Sequence, residues 1–178
     1  MARQLPIVGQ KKAPPPGTVP APEDPDERPP WHWSGIGAVL VFTSWLPLTL
    51  VSNVATRALV DRLVPAASRG DVDAHLATAS PLARASLRAA MVVPGALAFA
   101  IGAAFGGWLV GRFGGRAGPR EAAVAGLLSA STAWALLAAT AGLGTTWLLW
   151  APVALVGTVA AWLGGRLGRR GRPPSVRL

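Results

Sequence analysis

The sequence predicts an all-α, polytopic integral membrane protein with four transmembrane helices and a disordered, Pro-rich N-terminal tail. Three observations lead there. Of 178 residues, 51% are hydrophobic and 14% charged, against about 25% charged in an average soluble domain. So few charges could not cover the surface of a soluble domain of this size, and the mean hydropathy is +0.40. Second, the apolar residues gather into runs near 35–56, 89–111, 121–141 and 147–165 with no ionisable residue in their middles. About 20 residues at 1.5 Å each cross a ~30 Å hydrocarbon layer. Third, the formal net charge of +9 lies between and beyond those runs. The absence of cysteine excludes disulfides, zinc–thiolate sites and iron–sulfur clusters.

Residues 1–34 read as a disordered cytoplasmic tail. Nine of the 17 prolines lie there, and four basic residues balance four acids. Proline removes backbone donors and favours extended polyproline II, and there is too little apolar area for a core. Trp31-His32-Trp33 ends the tail, since tryptophan favours the membrane–water interface. The first span follows over 35–56. A cleaved signal peptide is the alternative, but a long, proline-rich, neutral leader is the wrong n-region for one.

Residues 57–88 form the expected extracytoplasmic loop. The first helix is expected to protrude as far as Pro65, with Arg57 and Asp61 one turn apart on a face. Asp71 is placed to cap a short helix over 72–79. Ser80-Pro81 reads as an N-cap followed by proline at the first helical position, and Arg84 and Arg88 can snorkel to headgroups. The second span, 89–111, contains Pro94 and many glycines, which lipid tolerates because backbone hydrogen bonds are kept within the helix and its neighbours. Arg112, Arg116 and Arg120 mark the loop before the third span, and Gly142-Leu143-Gly144 reads as a tight turn before the fourth. Residues 166–178 form a basic cytoplasmic tail with five arginines, among them Arg166, Arg169, Arg170 and Arg172.

Four spans put both termini on one side. The densest basic flanks, 112–120 and 166–178, then share a compartment, and basic residues near span ends favour the cytoplasm. Arginine outnumbers lysine fifteen to two in an Ala-, Gly- and Pro-rich chain, a bias of GC-rich bacterial genomes. The expected location is therefore the bacterial inner membrane, multi-pass, with cytoplasmic termini.

Trp108–Arg116 recurs as Trp162–Arg170, 54 residues on. Either a parallel repeat of two hairpins or convergent interfacial chemistry produces such an echo. The same residues resemble the loop between the second and third helices of major facilitator transporters, whose pattern is Gly-x-x-x-Asp-Arg-x-Gly-Arg-Arg. Gly107, Arg112, Gly114 and Arg116 fit, as do Arg166, Gly168, Arg169 and Arg170 in the second copy, but Gly111 and Gly165 stand at the aspartate position. In that family the acid takes part in charge contacts that gate the inward side. The resemblance covers about ten residues and implies shared packing and charge logic rather than membership.

Small residues recur at spacing four: Ala98, Gly102 and Gly106, beside Ala103, Gly107 and Gly111; then Ala122, Gly126 and Ala130; then Gly157, Ala161 and Gly165. Such faces let helices approach closely in lipid, within one bundle or across an oligomer seam. The bare span interiors argue against proton relays and intramembrane acid–base catalysis. The polar span residues are hydroxyls and an amide, clustered at Thr49, Ser52 and Asn53. Asp71, Asp73 and His75 read as capping and solvated residues rather than a metal set.

No catalytic residue, cofactor or metal site is expected. The reading is a non-enzymatic accessory or scaffold subunit packing through small-residue faces, with a second copy or another membrane protein as partner. The alternative is a small oligomeric transporter or channel built from two similar hairpins. Membrane lipids are expected partners of the arginines, and nucleic acid is not, because the arginines sit directly at span ends.

Overall fold

The structure is a computed structural model that describes residues 31–64, 71–141 and 147–171. The tail up to residue 30, the turn expected at 142–144 and Arg172 lie outside the described residues. Five helices follow one another: α1 (Trp31–Leu63), α2 (Val72–Thr78), α3 (Pro81–Phe113), α4 (Pro119–Ala141) and α5 (Trp147–Arg170). No strand occurs among the described residues. α1, α3, α4 and α5 are long and apolar enough to cross a membrane, with mean hydropathy of 1.2 to 1.9 in their most apolar windows.

Two helix boundaries differ from the expected ones. α1 begins at Trp31, so Trp31–Ser34 belong to the first helix and not to the tail. Trp33 packs against Val110, Ala117 and Ala122, and that burial holds the helix start. α5 runs on to Arg170, so Arg166–Arg170 extend the fourth helix rather than open a tail. Nothing there breaks a helix: Gly168 sits close against the backbone of Trp108 and Arg112 on α3.

The caps follow the sequence. Asp71 accepts a hydrogen bond from the Ala74 N–H at 2.9 Å and Ser80 accepts one from Ala83 at 3.3 Å, each satisfying a donor that has no partner inside its helix. Pro81 occupies the first turn. After α3, Gly115 takes φ 53°, a left-handed conformation that favours glycine and ends the helix. Pro47, Pro94 and Pro152 lie inside helices without ending them, as lipid permits.

The four long helices form a ring in the order α1–α3–α5–α4, with α1 and α5 diagonally opposite. α1 and α3 run antiparallel: Gly37 lies over Val110, Gly106 over Val41 and Gly102 over Trp45. α4 and α5 are also antiparallel, with Gly126 on Gly157 and Gly165 on Ala122. α3 and α5 run parallel, with Gly107 on Ala161 and Gly111 on Gly165. The middle of the bundle is filled by Val41, Phe99, Ala103, Ala130, Ala154 and Ala161, with Trp45 packed against them. Trp45 meets Phe99 edge-on at 5.4 Å between ring centroids, a favoured aromatic geometry.

α1 and α3 hold 33 residues each, about 50 Å of helix. Both therefore extend beyond a ~30 Å hydrocarbon layer on the side that carries α2. Val64 and Leu87, each 2% exposed, are buried in that protruding part.

The α3–α5 seam is reciprocal, but not in the register of the 54-residue echo. Gly107 and Gly111 close on the backbones of Ala161 and Gly165, while Gly164 and Gly168 close on those of Ala104 and Trp108, so a local two-fold axis relates α3 to α5 with equivalent positions 57 residues apart. That axis would carry α1 to the far side of the α3–α5 plane from α4. Instead α1 and α4 are neighbours: Gly37 lies against Ala125, and the Ser129 hydroxyl reaches the Ala38 carbonyl at 3.3 Å. The symmetry belongs to the α3–α5 seam and does not relate the two hairpins.

Candidate functional site

Three sets of residues were singled out by the sequence: the small-residue faces, the span hydroxyls and the arginines. The small-residue faces meet one another inside a single chain. Ala98, Gly102 and Gly106 form the face of α3 toward α1. There Gly102 is so close that a Cβ would lie 3.0 Å from the Trp45 Cβ, and at Gly106 it would lie 2.9 Å from the Val41 nitrogen. Ala98 is 6% exposed. Gly107 and Gly111 face α5, where a Cβ would lie 2.8 Å from the Ala161 carbonyl carbon and 2.9 Å from that of Gly165. Gly126 meets Gly157 and Ala161, and Gly157 in turn lies against Phe99. Gly165 packs on Ala122 and Pro119. Leucines at Gly102 and Gly106 would thus act on the fold of one chain before any assembly. Gly95 and Gly35 have nothing within 4 Å of a built Cβ.

The seam also accounts for the glycines at the aspartate position of the transporter-like pattern. A side chain at Gly111 would meet the Gly165 backbone, and one at Gly165 would meet Ala122 and Pro119 on α4, so a carboxylate at either would have no room. A contact of this kind cannot be read from a motif, because its two halves lie 54 residues apart.

Most of the span hydroxyls bond to their own helices. Thr49 donates to the Leu46 carbonyl at 2.6 Å and Ser52 to Thr49 at 2.9 Å. Thr43, Ser44 and Thr132 likewise donate to carbonyls four residues back. Ser129, fully buried, donates to Ala125 on its own helix and reaches Ala38 on α1. Ser131 accepts from the Trp150 indole N–H at 3.2 Å, linking α4 to α5. Hydroxyls that donate to their own helix are satisfied locally and offer less to a passing solute. Asn53 is exposed. His32 stacks on Trp31 at the start of α1, whereas His75 lies in α2. Among the described residues no group of three or more His, Cys, Asp or Glu gathers to hold a metal ion.

The arginines converge. The start of α4 and the end of α5 border a cleft of about 390 Å³ lined by Arg116, Arg120, Glu121, Trp162 and Arg169 over Gly118 and Pro119. A neighbouring cleft of about 400 Å³ shares Pro119, Trp162 and Arg169 and adds Arg166 and Arg170. The Arg166 guanidinium lies over the Trp162 ring at 5.2 Å from its centroid, a cation–π contact. The Arg169 side chain runs across Gly118, where a Cβ would lie 2.8 Å from Nη1. Glu121 is the acid in the cleft. Its carboxylate accepts from the Gly118 N–H at 2.6 Å, reaching back from the third helical position as in a capping box. Arg112 is half-buried on the α3 side, near Gly171.

Along the chain Trp162 stands only as part of an echo, and its place as floor of a cationic cleft depends on α4 and α5 meeting. Its signal was the Trp–x–x–x–Arg spacing, which puts indole and guanidinium one turn apart. No family model, curated protein or solved structure matches this chain.

Proposed function

We propose that this chain is a non-enzymatic multi-pass membrane protein that serves as an accessory or scaffold subunit, packing against another membrane protein or a second copy. The observation that carries the reading is where its packing surface is spent. The small-residue faces of α3, α4 and α5 are used inside the bundle, while α1 is left with the least cover. Of its most apolar window 17% is buried, against 33–39% in the other three. Leu46, Leu50 and Val54 follow one another at spacing four on α1 and are 59–69% exposed. That stripe is the surface for a partner helix.

Several features favour this over a transporter or channel. The bundle centre is filled by Val41, Phe99, Ala103 and Ala161, and the Thr49 and Ser52 hydroxyls are taken up by their own helix. The ionisable residues sit at helix ends, where orientation in the bilayer accounts for them. The same arginine placement supports cytoplasmic termini, and the excess of arginine over lysine in an Ala-, Gly- and Pro-rich chain supports a bacterial inner membrane.

A photo-crosslinking residue at Leu50 in native membranes tests the proposal. A discrete protein adduct from Leu50, absent when the crosslinker stands at Leu155 on α5, is the expected result. Lipid adducts alone from both positions would remove the accessory reading.

A further inference from the structure

We propose that the cleft between the start of α4 and the end of α5 is a binding site for the phosphate headgroup of an anionic phospholipid. The inference rests on the chain spanning a membrane and not on its having a protein partner. Five guanidinium groups, from Arg116, Arg120, Arg166, Arg169 and Arg170, line two clefts that share Pro119, Trp162 and Arg169. Each of these side chains is exposed, and none of them makes a hydrogen bond or ion pair among the described residues. Glu121 is the one acid lining them, and its carboxylate is engaged by the Gly118 N–H. Five positive charges with one carboxylate among them repel one another, and a bound anion relieves that repulsion. Guanidinium groups match phosphate oxygens in pairs of parallel hydrogen bonds. The clefts, about 390 and 400 Å³, fall within the size range of small-ligand sites.

The surroundings select a lipid over a soluble phosphate. Trp162 carries Arg166 on its ring, an indole of the kind that settles at the membrane–water interface. Within two turns of the arginines the exposed surface becomes apolar, with Val124 and Leu127 on α4 and Val159 on α5, and Leu155 lies a further turn along. A headgroup phosphate among the arginines would therefore lay its acyl chains along the α4–α5 groove. Inorganic phosphate would use only the polar end.

The test is native mass spectrometry of the full chain in detergent, titrated with phosphatidylglycerol and with phosphatidylcholine. Each basic residue near an anionic lipid surface is expected to change affinity about fivefold. The paired Arg120→Gln and Arg169→Gln variant should therefore bind phosphatidylglycerol roughly 25-fold more weakly than the unaltered chain, with phosphatidylcholine binding unchanged. Arg62→Gln, at the opposite end of the bundle, should change neither. Should the first pair lose its helical circular dichroism, Arg116→Gln with Arg170→Gln provides the same reading on two other exposed side chains. Equal binding of the two lipids, or an equal loss with Arg62→Gln, would overturn the proposal. Millimolar inorganic phosphate should leave phosphatidylglycerol bound. Full displacement by inorganic phosphate would identify a soluble phosphate site and overturn the lipid assignment.

Discussion

A leucine at Gly107 would have to displace the Ala161 backbone, because the two helices touch there without an intervening side chain. Overpacking usually costs about 1–3 kcal/mol, and a clash with backbone rather than a flexible side chain sits at or above the top of that range. Gly107→Leu should lower the thermal midpoint in detergent strongly. Gly95→Leu, with nothing within 4 Å of its Cβ, should stay within about 0.5 kcal/mol of the unaltered chain. Equal effects would mean that α3 and α5 do not meet at Gly107. Gly115, at φ 53°, is limited by conformation instead. Gly115→Ala should cost about 1 kcal/mol through the left-handed backbone alone, read in the same melting experiment. The sequence marks Gly107 as a helix-packing candidate and leaves Gly115 unmarked in the arginine-rich loop before the third span. It gives the reason for neither, since one is constrained by its own φ and the other by a residue 54 positions away.

Helix ends are the level at which the sequence is most explicit. Ser80-Pro81 and Asp71 announce the starts of α3 and α2, and the side-chain caps form there. A cap is a local interaction within three residues, so no tertiary information is needed to see it. α2 has only seven residues, far below the length at which an isolated helix is stable. Asp71→Ala removes about 1 kcal/mol of capping, and should raise amide exchange over 72–78 several-fold while leaving α3 and the global melting midpoint unchanged. Protection lost across α3 as well would show α2 and α3 to be one cooperative unit. α1 and α5 are longer than their hydropathy and composition suggest, and the missing information is tertiary. Trp33 is held by Val110, Ala117 and Ala122, and Gly168 by Trp108 and Arg112. Their polar or glycine-rich neighbourhoods look like flanks when read along the chain.

At the scale of the molecule, the apolar exterior and the arginine-rich end define how the chain would sit in a bilayer. The cleft arginines lie at the end of the bundle opposite α2, and basic residues near span ends favour the cytoplasm. The absence of cysteine makes this directly measurable. In intact cells a membrane-impermeant maleimide should label a cysteine placed at the exposed Thr78 and should reach Ser175→Cys only after lysis. The reverse pattern would invert the orientation and put the cationic cleft at the outer face.

Hydropathy and charge determine, along the chain alone, that four helices cross the membrane and that arginines collect at their ends. Those properties depend on the transfer of each segment between water and lipid, which needs no neighbour. The individual arginines of the cleft are legible in the same way. Their convergence is not: Arg116 and Arg120 come to Arg166, Arg169 and Arg170 only because α4 and α5 are antiparallel neighbours. The ring order α1–α3–α5–α4, the direct contact of Gly111 with Gly165 and the restriction of the two-fold to one seam were likewise decided by the tertiary structure. The physical reason is that small-residue faces are interchangeable in sequence. Each permits close approach, and which partner a face takes depends on the joint packing of all four helices.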